Sequence, residues 1–404
     1  MQKKQTDILF LILDVGLTIE NSAVFQAQVA DQMIALKQLG YKVSVLCAFR
    51  KFDRFQIVAG NKLGEHNIPV HLVPDQGLLK NIFSFAVALK RIMRGQEVGQ
   101  IYIRGFWAAF PIFLATLGRR CNYVYDVRGD INDESAARGS SGFRLFLIHM
   151  LETLALRRAA YITCVTNRLA TIIQNRSKIK TSPEVIPSCI DLSDFSFSME
   201  QRTVRRVELG YADDDIVFVY SGGLAHYQML DEMFALWHGM VPANTHVKFL
   251  LMINSDPSSL ERKVGSLDDF GNRLKVMNLP RSEVFKTLCA ADIGFLLRED
   301  RPLNATASPV KFAEYLAAGL AVISSPGVGD LSGRIITRKL GVLVKPSKKL
   351  PEVKKLSDFI IKLEKDRVAI RDRSLLAVNE KYSWHAYRNT YQKLYKPSEL
   401  SELD

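Results

Sequence analysis

Two stretches of the chain place charged side chains where apolar ones are expected. In SPVKFAEYLAAGLAVISS, which begins at Ser308, Glu314 sits among apolar neighbours one turn after Lys311. Ser308 suits a helix N-cap, Pro309 the first helical position and Gly319 a left-handed helix end, after which Leu320 to Ile323 reads as a short buried strand. A lone carboxylate there is either the solvated face of the helix or an acceptor for a ligand, and local signals leave both readings open. In YDVRGDINDE, the residues Asp126, Arg128, Asp130, Asp133 and Glu134 crowd the carboxyl end of an apolar run. Charges so dense beside a buried strand must meet solvent, one another or a ligand. An Arg128 salt-bridge network is one reading. A binding loop that opens into a cleft between domains is the favoured one.

These residues are positioned by two series of alternating elements. At 404 residues the chain exceeds one ordinary hydrophobic core, so two domains are expected. Strand-like runs at 8–13, 43–47, 68–73, 100–104, 122–127 and 160–165 alternate with helical stretches such as Val24 to Leu39, stopped by Gly40. A second series runs through 215–222, 247–253, 273–278, 292–297, 320–324 and 341–345, and residues beyond 350 read as helical. Strands separated by helices of this length imply parallel sheets with right-handed crossovers. The stretch SCIDLSDFSFSMEQR (188–202) lacks periodicity and serves as a linker. The expected fold class is α/β, two doubly wound domains in tandem. Their ligands are expected outside the carboxyl ends of the strands, with two such edges facing across a cleft.

Composition excludes several function classes. With 48% hydrophobic and 24% charged residues the chain is globular rather than disordered. Five scattered cysteines without a CxxC pair argue against a disulfide framework or a zinc site and favour a reducing cytoplasm. The opening MQKKQTDILFLIL has too short an apolar run for a signal peptide, and no stretch suits a membrane-spanning helix; Gly105 to Gly118 is too short and contains Pro111. Residues 1–190 hold 24 Lys and Arg against 14 Asp and Glu, a balance of +10 of the chain's +12. That basic half suits an anionic membrane surface or a lipid-phosphate acceptor, and solubility alone is the bland alternative. Nucleic acid is not expected, since no stacking motif or helix-turn-helix pattern accompanies the charge.

Two tandem Rossmann-like domains with SPVKFAEYLAAGLAVISS late in the second resemble the GT-B glycosyltransferases of the retaining family-four (group 1) type. LKQLGYKVSVL, YDVRGDINDE, VIPSCIDLSDF, YSGGL and YSWHAYRNTYQKLY carry the same resemblance in their order and spacing. It implies a GT-B architecture with residues 1–190 as the acceptor domain, 191–380 as the nucleotide-sugar domain, and 381–404 as a C-terminal helix returning to the first. It implies that Glu314 binds the donor ribose, two acceptor oxygens meeting a diol. Ser308, Pro309 and Val310 would bring a helix start to the pyrophosphate, with Lys311 placing an ammonium on the same phosphates. Gly222 and Gly223 of YSGGL would let backbone approach the diphosphate, and Asn278 would frame the base. On the acceptor side it implies roles for Gly16, Arg104, Arg128, Asp130 and Glu134, with Arg104, Asp126, Arg128 and Lys311 at the reacting groups.

The chain departs from that family pattern in informative places. The Arg and Lys that often grip the diphosphate fall on Gly223 and Gln228, and the first of two glutamates falls on Thr306. Lys311, Arg298 and Arg301 are the candidate substitutes, with Asn304 toward the sugar. No metal or cofactor is implied; the leaving phosphate itself assists front-face attack, and the donor is a nucleotide-diphosphate-sugar. The segment GFRLFLIHMLETLALRR (142–158) is read as a helix burying its apolar side in the domain rather than lying on a membrane. The implied activity is sugar transfer to a saccharide or lipid-linked saccharide in cell-surface polysaccharide synthesis, in the cytoplasm or at the inner membrane face. A sugar-nucleotide epimerase of the same architecture and a non-catalytic subunit of a transferase complex are the alternatives.

Overall fold

The computed structural model describes residues 4–13, 25–49, 59–117, 121–137, 139–240, 246–253, 267–346 and 350–395. They form two units, Met1–Asp191 with Trp384–Asp404 and Leu192–Ser383. In the first, β1 (Lys4–Ile12) leads through a π-helical turn (Gln26–Ala30) into α1 (Asp31–Gln38), β2 (Val43–Phe49), α2 (Ala59–Glu65), β3 (Val70–Pro74) and α3 (Leu78–Gly95). There follow β4 (Gln96–Arg104), α4 (Ala109–Ala115), β5 (Tyr123–Val127), α5 (Ile131–Ala137), α6 (Gly142–Arg158), β6 (Tyr161–Cys164), α7 (Asn167–Ser177) and β7 (Glu184–Val185). The strands pair in parallel in the order β3-β2-β1-β4-β5-β6-β7. Both faces of the sheet are covered, which is why its strands read as continuous apolar runs. One face packs on α1 and on Trp384, Tyr387, Tyr391, Leu394 and Tyr395; the other packs on α3, α4, α6 and α7.

In the second unit α8 (Met199–Leu209) precedes β8 (Ile216–Gly222), α9 (Leu230–Met240), β9 (Val247–Ile253), β10 (Leu274–Met277), α10 (Arg281–Leu288) and β11 (Ile293–Leu296). Then come α11 (Pro302–Ala305), α12 (Val310–Ala317), β12 (Ala321–Ser324), α13 (Leu331–Thr337), β13 (Gly341–Leu343) and α14 (Leu350–Lys381), broken at Asp366. The sheet order is β10-β9-β8-β11-β12-β13, all parallel. In both sheets the strand order reverses beside the first strand, between β1 and β4 and between β8 and β11. A crevice opens at the carboxyl ends at such a point, where ligands of doubly wound sheets bind.

Buried polar contacts fix the second of these points. Asp292 accepts from Arg202 Nη2 at 2.7 Å and from the Val217 amide at 2.9 Å, tying β8 to β11 at their amino ends. Nearer the carboxyl ends, the Tyr315 hydroxyl accepts from the Ser221 amide at 3.2 Å and donates to the Phe295 carbonyl at 3.3 Å. Its ring lies on Gly294, where an added Cβ would sit 2.3 Å from it. Tyr315 thereby clamps α12 to both strands.

Two expectations are corrected. Helix α12 begins at Val310 with Pro309 as its cap residue, so Ser308 lies one position before the cap. Pro309 has the extended ψ of 124° that a cap residue adopts, rather than a helical one. Gly319 ends the helix as expected, with φ of 73°, while the Gly319 and Leu320 amides return to Leu316 and Tyr315. The second correction concerns α6. Its inward face holds Ile148, Glu152, Ala155 and Leu156, whereas Phe143, Phe146, Leu147, Met150 and Leu154 point to solvent.

Candidate active site

At the point where β8 and β11 diverge, two cations meet over one neutral oxygen. Gln228, buried in the short helical turn after β8, offers its Oε1 to Lys311 Nζ at 3.1 Å and to Arg298 Nη1. Arg298 follows β11, and its amide donates to the Ser325 hydroxyl at 2.8 Å, which holds the loop to the end of β12. Its guanidinium lies 5.1 Å from the Tyr227 ring centre. Lys311 Nζ sits 4.2 Å above the Tyr220 ring centre and 3.2 Å from that hydroxyl. Among the described residues no carboxylate lies within ion-pair distance of Lys311 or Arg298. Burial, with Arg298 beside it, pushes the Lys311 ammonium down to about 7, against the field of Glu314. Two such cations with a neutral acceptor between them make a place for an anion.

Gly222 lies directly beneath Lys311. Its φ is 148°, and a Cβ there would lie 2.3 Å from Lys311 Nζ. Any side chain there would push the ammonium aside, and the positive φ disfavours one as well. The carbonyl of Gly223 takes the Tyr220 hydroxyl at 2.5 Å, which sets the course of the loop. Glu314 stands half-buried on α12, one turn from Lys311, and Val310 opens that helix. Asn278 is exposed just past β10. Asn304 is buried and holds its own loop, its amide donating to the Glu299 carbonyl at 2.9 Å. Arg301 pairs with Glu299 at 2.5 Å on the exposed side. The structure thus joins Gly222, Gln228, Arg298 and Lys311, while Asn304 and Arg301 are occupied locally.

The first unit repeats the motif at its own divergence of strands. Gln28, on the π-helical turn after β1, accepts from Arg104 Nη2 at 2.5 Å and from Arg128 Nη2 at 3.2 Å. A π-turn often marks a functional position, but its single extra residue leaves no sequence periodicity, so Gln28 escaped the reading of the sequence. Asp126 is buried between strands. It accepts from the Tyr102 hydroxyl at 2.5 Å and the Thr163 hydroxyl at 2.8 Å, with Arg128 Nε 3.6 Å away. Two hydroxyl donors and one ion pair on a single carboxylate make Asp126 a holder of Arg128 and of the sheet edge. Asp130 is also engaged: Arg176 Nη1 reaches its two oxygens at 2.6 and 2.8 Å, and its Oδ1 accepts from the Asn132 amide at 3.0 Å. Arg176 also donates to Glu152 at 2.8 Å. Burial raises the Glu152 carboxyl to about 7 despite that partner. The Glu134 carboxylate folds back over Gly129, where a Cβ would lie 2.5 Å from its Oε1. Gly16 lies outside the described residues.

One group of described side chains has metal-ligand spacing, Asp214, Asp215 and His246. It lies at the amino ends of β8 and β9, away from Lys311, and pairs internally, with His246 Nδ1 3.3 Å from Asp214.

Residues 26–194 match the family described as Glycosyltransferase Family 4. No curated protein sequence matches the chain. Among solved structures, sucrose-phosphate synthase from Thermosynechococcus elongatus is 16% identical over 96% of this chain and 98% of that one, with a TM-score of 0.69. HepE of Anabaena in complex with UDP-glucose is 17% identical over 98% and 99% of the two chains, with a TM-score of 0.68. The catalytic domain of starch synthase IV from Arabidopsis thaliana, bound to ADP and acarbose, is 12% identical over 97% and 99%, with a TM-score of 0.66. At these identities the likeness is one of fold.

Proposed function

We propose that this chain, which has the GT-B fold and a Glycosyltransferase Family 4 match over residues 26–194, is a glycosyltransferase that takes its sugar from a nucleoside diphosphate carrier. The observation that carries the reading is the convergence of Arg298 and Lys311 on Gln228 beneath the open end of β8. A nucleoside diphosphate leaves as a concentrated anion, and fixed cations in a partly buried site stabilise it more than water does. Arg298 takes the place of the cation absent at position 223, and Lys311 reaches the region that position 228 would have served. The amide groups that open α12 add a positive helix end. Glu314, one turn on, accepts from the ribose diol.

The acceptor is a hydroxyl of a saccharide or lipid-linked saccharide, and the sugar keeps its anomeric configuration because the departing phosphate assists attack on the same face. Arg104 and Arg128, oriented by Gln28, face an acceptor that carries negative charge. Such a transferase works at the cytoplasmic membrane face in cell-surface polysaccharide synthesis.

A thermal-shift screen against UDP, GDP, ADP, CMP and their sugar conjugates tests the reading, with UDP first because HepE is solved with UDP-glucose. One nucleoside diphosphate is expected to raise the melting temperature selectively, and Glu314→Ala to lose that rise while melting within a few degrees of the parent without ligand. No shift with any nucleotide would favour a non-catalytic subunit. Turnover of the sugar nucleotide without an acceptor would favour an epimerase.

A further inference from the structure

Helices α3, α4 and α6 cover one face of the first sheet. Their inward residues, among them Phe85, Leu89, Ile112 and Leu156, share a core with Leu9, Leu11 and Ile103. They adjoin one another: α3 packs on α4, and Arg158 at the end of α6 lies 5.1 Å from the Phe113 ring of α4. A surface helix ordinarily turns a polar face outward, and these three set large apolar side chains there as well. On α3, Leu79, Phe83 and Val87 recur every fourth residue on the solvent side, with Phe83 64% exposed. Leu114 and Leu117 project from the end of α4. On α6, Phe143 is 79% exposed and begins a stripe continued by Phe146, Leu147, Met150 and Leu154.

The charges on the same helices have one sign. Lys80, Lys90, Arg91 and Arg94 are exposed on α3, as are Arg144, Arg157 and Arg158 on α6. The only carboxylate in the three helices is Glu152, which is buried and paired with Arg176. An apolar stripe among cations, with no exposed acid, fits an interfacial layer of anionic lipid. A protein partner would need acids matched to these cations at fixed positions, whereas a fluid anionic surface brings its charges to wherever the cations stand.

We propose that the outer faces of α3, α4 and α6 form a docking surface for an anionic phospholipid membrane, with the phenylalanines entering the headgroup boundary and the cations lying on lipid phosphates. This deepens the lipid-linked acceptor of the preceding reading and rests on that reading only for its purpose. The docking itself is tested separately from donor binding. The purified chain is floated with vesicles of phosphatidylcholine, with and without phosphatidylglycerol, at low and high salt. The protein is expected to float only with phosphatidylglycerol and to be partly released by salt. Phe143→Ser with Phe146→Ser should weaken partition by about tenfold or more, since each large apolar side chain withdrawn from water contributes at least that order. Lys90→Gln with Arg91→Gln and Arg94→Gln should weaken it and flatten the salt dependence. Both variants should keep the nucleotide-dependent thermal shift, and vesicle binding without any such shift would sink the donor reading while leaving this one standing. Failure of the parent protein to float would overturn the proposal. So would unchanged flotation of the phenylalanine variant, or a lipid-free dimer that the same substitution dissociates, which would assign the face to self-association.

Discussion

A nucleoside diphosphate seated on Lys311 is expected to draw a fraction of a proton from solution that grows with pH, because of where that amine stands. Its amine titrates near 7 rather than at its ordinary 10.5, burial being the larger cause and Arg298 the next. A diphosphate laid on the pair supplies the missing countercharge and draws the pKa back up. The bound state then holds more protons than the free one, so affinity falls as pH rises above 7 and levels off below it. At pH 7 a group with this pKa is half deprotonated, so about 0.5 proton is taken up per site, rising to about 0.9 at pH 8 and falling to about 0.1 at pH 6. The corresponding loss of affinity approaches about tenfold per pH unit above 8.

The assay is titration calorimetry with the preferred nucleotide in two buffers of different ionisation enthalpy, on the parent protein and Lys311→Arg. Arginine keeps the charge but does not titrate in this range, so the variant reports what the nucleotide's own phosphate contributes. The parent minus the variant should show the uptake just given. Equal uptake in both proteins at pH 8, or equal pH dependence of affinity, would refute the argument that the diphosphate seats on Lys311.

Two further outcomes test the surroundings. Gly294→Ala places a Cβ 2.3 Å from the fully buried Tyr315 ring, and the clamp on α12 leaves that ring no room to turn. A loss of about 3 kcal/mol is expected in chemical denaturation, and a loss below about 0.5 kcal/mol would show that α12 is loosely held. Glu152 titrates near 7 when folded against an ordinary 4.5. The folded state therefore binds more protons in between, and stability falls as pH rises through that window. Glu152→Gln removes this dependence while Asp130 still holds Arg176. Its stability relative to the parent should rise by up to about 3 kcal/mol from pH 5 to pH 8 by thermal denaturation; a constant difference would mean that Glu152 stays ionised.

The strands were legible because burial on both faces writes continuous apolar runs into a chain, and 247–253 forms β9 to the residue. The segment from Ser308 to Gly319 was legible as helix and turn, but its start moved by one residue. A proline suits both the cap and the first helical position, and only its backbone angle decides between them. The orientation of α6 was not legible. A helix apolar on both sides has no periodicity that names its inner face, and the decisive partner of Glu152, Arg176, is 24 residues away. The replacement of the phosphate grip was half legible. Gln228 and Arg298 stood out as a departure and a spare cation, yet their meeting spans 70 residues and follows from β8 and β11 being neighbours.

That meeting explains why a glutamine suits position 228. A carboxylate there would neutralise Lys311 and Arg298 and leave the site little attraction for phosphate; a lysine would crowd a third cation against two that already disfavour each other's charge. A carboxamide oxygen instead accepts from both cations without cancelling either. It holds their side chains in one arrangement before a ligand arrives, so less ordering is left for the binding step. Gln28 does the same for Arg104 and Arg128 at the end of β4 and β5. There Asp126 stands 3.6 Å from Arg128, so part of the charge is already compensated. By this argument the site on β8 and β11 is the stronger trap for a doubly charged anion, and the site on β4 and β5 suits a more weakly charged group.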